Sequence, residues 1–130
     1  MDGIKMGSQV NFCLDTYALM EIANKNPKFN KYLKSDFVIT DLILAEFYSV
    51  LLREFNEETA EYWFKKLESY SVPLNKRFLV EAVKFRQIHK KQRISFFDAV
   101  GYVFSIKNGF KFVTGDKEFE GFKGVEFVKS

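Results

Sequence analysis

Cysteine, histidine and proline are scarce in this chain of 130 residues, and each shortage narrows what the protein can be. The single cysteine, Cys13, excludes an intramolecular disulfide, and its apolar surroundings in VNFCL favour a buried, unreactive thiol. The single histidine, His89, leaves zinc sites of the Cys/His type without enough ligands. A Ser-His-Asp hydrolase would have to use this same His89, whose basic context RQIHKKQR is typical of an exposed helix end.

Long apolar segments are also missing. No run approaches the roughly 20 residues that a membrane span needs, and the start MDGIKMGSQV has no apolar signal core. We therefore expect a cytoplasmic protein that has no membrane partner. Hydrophobic residues still make up 47% of the chain and aromatic residues 18%, which excludes a disordered chain. We predict a single domain over residues 10–130 after a flexible lead-in of residues 1–9.

The net charge of +3 is small, but the positive residues are unevenly placed. The stretch KFRQIHKKQR contains five lysines and arginines and no acidic residue. A solvated helix end is one interpretation of this stretch, and a patch that contacts RNA phosphates is the other. The residues that would follow an RNA backbone are Lys84, Arg86, Lys90, Lys91 and Arg93.

Short apolar segments alternate with helical patterns along most of the chain. The segments VNFCL, FVIT, SVPL, FKFVT and VEFVK are predicted strands, and the helices between them include a long one over residues 75–93. This alternation is typical of an α/β protein with three layers, α/β/α, around a central parallel sheet of about five strands. Ligands bind beyond the carboxyl ends of the strands in such sheets, so we expect the chemistry at that edge.

Two acidic residues follow predicted strands closely. Asp15 comes directly after VNFCL, and Asp116 comes after FKFVT and one glycine. A turn or a helix cap would explain either residue alone. Because the carboxyl ends of parallel strands lie at one edge of a sheet, we expect the two carboxylates to share that edge.

Two further acidic residues lie in apolar helices. The residues three and four positions from Glu46 are mostly apolar, so its carboxylate needs a salt-bridge partner or a cation. Asp98 could belong to a capping box that begins at Ser95. Its helix, FFDAVGYVF, is apolar nearly all round, which indicates that Asp98 faces the interior or a cleft.

Carboxylates gathered at one sheet edge repel one another unless a positive charge lies between them. Oxygen ligands with no nearby Cys or His favour Mg²⁺ or Mn²⁺ as that charge. Mg²⁺ keeps several waters and binds substrate phosphates, so the cluster indicates phosphoryl chemistry with metal-activated water in place of a histidine base. The four acids concerned are Asp15, Glu46, Asp98 and Asp116.

Four stretches of the sequence, in order, resemble motifs of the PIN-domain ribonucleases, in particular the VapC-type toxins of toxin–antitoxin pairs. They are LDTYAL, TDLILAEFYSVL, SFFDAVGYVFSIKNG and FVTGDKEFE, and the resemblance runs from about Val10 to Lys129. It implies a PIN-like fold, a Mg²⁺ or Mn²⁺ site made by the four acids, and endonucleolytic cleavage of RNA that leaves a 5′-phosphate and a 3′-hydroxyl. It also implies a small antitoxin partner that lies in a groove by the site, and a homodimer or higher oligomer.

The same resemblance implies roles for residues around the metal. Glu46 would ligate a second ion, directly or through a water molecule, or it would position the attacking water. Thr114 would orient a carboxylate or water, and Glu118 would be an auxiliary acid. Thr16, directly after the first acid, would cap the first helix.

Other functions are compatible with parts of this pattern. A phosphoacceptor receiver domain also places acids at strand carboxyl ends, but it needs an acidic pair after the first strand and an Asp after a central strand. The stretches VNFCLD and SVPLN do not supply them. A non-catalytic RNA-binding module and an RNA-processing nuclease that is not a toxin share the expected fold, and they remain the alternatives.

Overall fold

A computed structural model describes residues 12–130 of the chain. The expected lead-in and the first two residues of the first predicted strand lie outside this range. One sheet of five strands is found within it, in the order β3-β2-β1-β4-β5, and every neighbouring pair is parallel. The strands are β1 (Phe12–Leu14), β2 (Phe37–Thr40), β3 (Ser71–Val72), β4 (Lys111–Thr114) and β5 (Val125–Phe127).

Helices flank this sheet and complete a three-layer α/β/α fold, which confirms the predicted fold class. In the described part of the chain they are α1 (Thr16–Ala23), α2 (Asn30–Leu33), α3 (Asp41–Glu54), α4 (Glu57–Leu67), α5 (Lys76–Ile88) and α6 (Phe96–Asn108). Single turns of 3₁₀ helix cover Pro27–Phe29, Glu68–Tyr70 and Lys117–Phe119. None of the helices in residues 12–130 is both long and apolar enough to cross a membrane.

Side-chain caps fix where the longer helices begin. Each cap accepts a hydrogen bond from a backbone N–H of the first helical turn, which satisfies a donor that has no partner inside the helix. These caps are Asp15, Thr40, Asn56, Asn75 and Ser95 for α1, α3, α4, α5 and α6. The cap at Thr40 makes α3 begin directly after β2.

Helix α5 is shorter than the sequence pattern predicts. It ends at Ile88, five residues before the predicted end at Arg93. The chain leaves the helix at His89, and the Nε of Arg86 donates to the carbonyl of Ile94 at 2.9 Å, which folds the segment back. Consecutive positive charges do not reveal such a turn, because it is made by contacts outside the helix.

Close packing brings α6 against the centre of the sheet and α3. A Cβ added to Gly101 would lie 2.7 Å from Cδ1 of Ile43 and 2.9 Å from Cε1 of Phe112, so only glycine fits without a shift. Phe112 lies on β4 and Ile43 on α3, and both are fully buried. This contact holds the first turn of α6, which carries Asp98, beside the carboxyl ends of the central strands.

Candidate functional site

Asp15 is the single residue between β1 and α1, and it is fully buried. Its Oδ1 accepts a hydrogen bond from the backbone N of Ala18 at 2.8 Å, and so it caps α1. Its Oδ2 is buried and has no hydrogen-bond partner. One oxygen of this carboxylate therefore serves the fold, and the other is left free in the interior.

Asp98 lies in the first turn of α6. Its backbone N donates to Oγ of Ser95 at 3.1 Å, so the expected capping interaction is present. The carboxyl oxygen Oδ1 is nevertheless buried without a hydrogen-bond partner. Burial, and then the nearby charges of Glu46 and Asp116, raise the pKa of Asp98 to about 7. The two interpretations of Asp98 are compatible, because its backbone N takes part in the cap while its carboxylate faces the interior.

Glu46 is half-buried on α3 and is held by the residue that follows the first acid. Oγ1 of Thr16 donates to Oε1 of Glu46 at 2.5 Å. The prediction that Thr16 caps α1 is wrong, because Asp15 supplies that cap and Thr16 is the first helical residue. The hydroxyl of Thr16 is thereby free to orient Glu46.

Asp116 follows β4 after a tight step at Gly115. Its backbone N donates to Oγ1 of Thr114 at 3.0 Å, and its Oδ1 accepts from the backbone N of Glu118 at 3.0 Å. A Cβ on Gly115 would lie 2.1 Å from Cε1 of Tyr17 on α1, so the turn is pressed against that ring. Both the turn and the carboxylate that it directs are therefore present, as the sequence pattern suggests.

The four acids influence one another, which indicates a common site. Burial raises the pKa of Asp15 well above its usual range, and the charges of Asp98 and Asp116 raise it further. The nearby hydroxyl of Thr114 and the hydrogen bond from the backbone N of Ala18 lower the pKa and oppose this shift only in part. The carboxylates thus lie close enough together for each to disfavour ionisation of the next.

No positive side chain neutralises this group within residues 12–130. The salt-bridge interpretation of Glu46 is therefore wrong for the described part of the chain. The ion pairs found there are Lys31–Glu126, Arg53–Glu54 and Arg77–Glu81.

The family follows from the sequence over the same region. The family model of the PIN domain matches residues 12–125, from the start of β1 to the start of β5. The chain belongs to the PIN domain family. A comparison with curated proteins gives no match.

Solved structures share the fold of this PIN domain. One is a toxin–antitoxin complex from Klebsiella pneumoniae, 14% identical, with a TM-score of 0.72 over 92% of this chain and 100% of that one. Another is VapC20 from Mycobacterium tuberculosis, a Sarcin-Ricin loop cleaving toxin, 18% identical, with a TM-score of 0.72 over 89% and 99%. A third is DNA-bound VapBC from Salmonella typhimurium, 20% identical, with a TM-score of 0.67 over 93% and 98%. At these identities the likeness shows the fold.

The oxygen donors of this PIN domain fit a divalent metal ion that has few direct protein ligands. Oδ2 of Asp15 and Oδ1 of Asp98 are buried and unpartnered, and a bound cation would supply the partner that each oxygen lacks. Within residues 12–130, no three or more Asp, Glu, His or Cys side chains are arranged to hold a metal on their own. Mg²⁺ commonly uses one or two carboxylates and keeps several waters, which agrees with both observations.

Glu118 has a different position from the four acids. Its Oε1 accepts a hydrogen bond from the backbone N of Arg93 at 3.0 Å, while its own backbone N is held by Asp116. The side chain therefore connects the end of β4 to the basic segment after α5. Neither this contact nor the one between Thr16 and Glu46 has a signal in the sequence, because the partners lie 25 and 30 residues apart.

The basic residues fall on two sides of α5. A groove of about 690 Å³ lies beside the segment from Val83 to Ser95, and we call it the 83–95 groove. Arg86, Lys90 and Arg93 line it. Lys84 instead lines a separate cavity of about 310 Å³ between α5 and α6, and Lys91 is exposed and lines neither. The predicted RNA-backbone set is thus divided, with three of its five members together.

Proposed function

We propose that this PIN domain is a divalent-metal-dependent endoribonuclease, and that it acts as the toxin of a toxin–antitoxin pair. The observation that carries the proposal is the pair of unpartnered buried oxygens, Oδ2 of Asp15 and Oδ1 of Asp98, at the carboxyl edge of a parallel sheet. Ligand sites of such sheets lie at this edge. A cluster without a neutralising side chain suits a cation and the phosphate that the cation attracts.

Each acid has a role that follows from its contacts. Asp15 and Asp98 would hold Mg²⁺ or Mn²⁺ with their free oxygens, and Asp116 would act on the same ion through water. A divalent ion bound there would lower the pKa of a water molecule and stabilise charge on the scissile phosphate. Glu46, oriented by Thr16, would position the attacking water and accept its proton.

The remaining steps follow from in-line attack on phosphorus. The water oxygen would form the new P–O bond while the bond to the 3′-oxygen breaks. The products would be a 5′-phosphate and a 3′-hydroxyl, the latter protonated from solvent. Thr114 would fix the positions of Asp15 and Asp116 relative to each other, because its hydroxyl lies beside Asp15 and accepts a hydrogen bond from the backbone N of Asp116.

The partners in the proposal are RNA, a small antitoxin protein and a second copy of the chain. Support comes from solved structures of the same fold, which include a toxin–antitoxin complex and a toxin that cleaves the Sarcin-Ricin loop. Exposed apolar side chains at the end of α3 and in the middle of α4 would suit a homodimer or higher oligomer. These are Leu52, Phe55 and Tyr62, with 45%, 49% and 57% of their surface exposed.

A cleavage assay on total RNA tests the proposed activity. We expect the wild type to cut RNA in the presence of Mn²⁺ or Mg²⁺, and to stop in excess EDTA. Asp98→Asn removes a carboxylate oxygen of the site and should reduce the cleavage rate by at least about 100-fold. Asp36→Asn makes the same chemical change at an exposed loop position and serves as the matched control.

Two results would contradict the proposal. Cleavage that persists in excess EDTA, or in Asp98→Asn, would exclude the metal-dependent site. Tight RNA binding without any product would instead favour the non-catalytic module. Growth arrest on expression, relieved by the product of a neighbouring small gene, separates a toxin from an RNA-processing nuclease.

A further inference from the structure

The 83–95 groove borders the acidic site without sharing its residues. Ser95 lines the groove and caps α6, three residues or about 4.5 Å along the helix axis before Asp98. On the same side, Glu118 joins the backbone of Arg93 to Asp116 through two hydrogen bonds of 3.0 Å. The end of the groove at Arg93 and Ser95 therefore lies beside the acids.

The lining of the groove combines three kinds of group. It has guanidinium and ammonium groups, side-chain amides and one aromatic ring, and none of its lining residues is acidic. Its volume of about 690 Å³ lies within the range typical of small-molecule sites. The members that matter for recognition are Arg86, Lys90, Arg93, Gln87, Gln92 and His89.

The ring of His89 is half-buried and packs against two aromatic rings. It packs on Phe85 with 4.5 Å between ring centroids and on Phe122 with 5.1 Å. These contacts hold the half-buried ring in place where it lines the groove. A held ring next to exposed cations is the arrangement on which unpaired bases stack while phosphates are neutralised alongside.

We propose that the 83–95 groove binds single-stranded RNA next to the scissile phosphate, with the ring of His89 as the stacking platform for one base. Lys90 and Arg93 contact the flanking phosphates, and Gln87 and Gln92 offer amides to the edge of the stacked base. Glu118 is a positioning residue, because it holds the segment that carries Arg93 against the acids. The inference rests on the proposed ribonuclease function, and it adds the place where the RNA strand is held.

The composition of the groove favours RNA over an acidic peptide. Cations alone would suit either partner, since both are negatively charged. A held ring and two amides add nothing for carboxylates, but they match the face and the edge of a base. One end of the groove also lies beside the acids, so a strand bound there would be close to the proposed cleavage site.

Binding measured without cleavage tests the inference. Fluorescence anisotropy with a labelled, unstructured single-stranded RNA of mixed sequence, in EDTA, gives the dissociation constant at several salt concentrations. The variants are Lys90→Ala, Arg93→Ala and His89→Ala, each checked for an unchanged melting temperature. Lys107→Ala removes an equal charge from an exposed site on the separate α5–α6 cavity and is the matched control.

We expect each cation variant to bind RNA more weakly and to lower the slope of log Kd against log salt by about 0.7, the value for one phosphate contact to a single strand. His89→Ala should weaken binding by at least about 5-fold with the salt slope unchanged, because stacking is not ionic. Lys107→Ala should stay within about 2-fold of the wild type. Equal binding by the wild type and all three groove variants would overturn the inference, and so would an equal loss in Lys107→Ala.

Failure of this inference can be told apart from failure of the proposed function. Metal-dependent cleavage by the wild type together with unaffected binding by the groove variants would leave the ribonuclease standing and remove the groove. RNA binding that depends on the groove residues, without cleavage in Mn²⁺, would support the groove and contradict the ribonuclease function. A complex with an acidic peptide that His89→Ala does not weaken, alongside RNA binding insensitive to all three variants, would assign the groove to a protein partner.

Discussion

Asp98→Asn should stabilise the metal-free protein while it abolishes the proposed activity. Burial, Glu46 and Asp116 raise the pKa of Asp98 to about 7, and the side chain carries a buried oxygen without a partner. A carboxyl whose pKa is raised on folding contributes stability at low pH, and that contribution is lost as pH rises through the folded value. Asparagine does not ionise, so the variant escapes this loss.

The magnitude follows from the size of the shift. From an ordinary 3.8 to about 7, the pKa change corresponds to at most about 4 kcal/mol of unfolding free energy. The unfolded chain is already ionised at pH 5, so about 2–3 kcal/mol of the difference appears between pH 5 and pH 8. At about 2 cal/mol/K per residue for the unfolding entropy, each kcal/mol shifts the melting temperature of this chain by about 4 °C. The advantage of Asp98→Asn should therefore grow by about 8–12 °C over this pH interval.

Thermal unfolding in EDTA, followed by circular dichroism at about pH 5 and about pH 8, measures this difference. Asp36→Asn, which changes an exposed carboxylate, should show no such growth. Added Mg²⁺ or Mn²⁺ at the higher pH should raise the melting temperature of the wild type more than that of Asp98→Asn, because a bound ion stabilises only the folded form that holds it. An advantage that is equal at both pH values, or a variant less stable than the wild type at the higher pH, would refute the reasoning.

Three further substitutions test individual contacts. Glu118→Gln keeps an acceptor for the backbone N of Arg93 and should retain activity, whereas Glu118→Ala should raise KM with little change in kcat; equal loss in both would identify a metal ligand instead. Thr16→Val removes the hydrogen bond to Glu46 and should lower kcat by about 10-fold, with Thr16→Ser restoring it, as single-turnover cleavage would reveal. Gly115→Ala places a methyl group 2.1 Å from an aromatic ring carbon of α1, so we expect a loss of about 1–3 kcal/mol in a thermal melt, and an unchanged melting temperature would contradict the packing.

Much of the fold follows from local patterns in the sequence. The apolar run FVIT coincides with β2 (Phe37–Thr40), because a short run buried on both faces has few other places in an α/β protein. The predicted strand SVPL is only two residues long, since Pro73 has no N–H to continue the ladder. The end of α5 was not predictable from the local pattern, because the segment after Ile88 is held by a contact between residues eight positions apart, the hydrogen bond from Nε of Arg86 to the carbonyl of Ile94.

Part of the candidate site could also be predicted from the sequence, and part could not. The convergence of Asp15 and Asp116 follows from the parallel topology, since each residue comes after a strand of one sheet. Their catalytic and metal-binding roles stay predictions. What the sequence does not contain is which atoms remain free. That depends on contacts such as the hydroxyl of Thr16 donating to Oε1 of Glu46 and the backbone N of Ala18 donating to Oδ1 of Asp15.

The two oxygens of Asp15 bear on how an inactive form of this protein should be made. Because Oδ1 caps α1, Asp15→Ala would remove about 1 kcal/mol of helix stability together with a proposed metal ligand. Asp98 carries no such double duty, since Ser95 caps its helix. Loss of function at Asp15 is therefore confounded with loss of structure, whereas at Asp98 the two are separable. An inactive variant that still folds and can still bind the proposed partners is therefore made by substituting Asp98 on α6 and not Asp15 after β1.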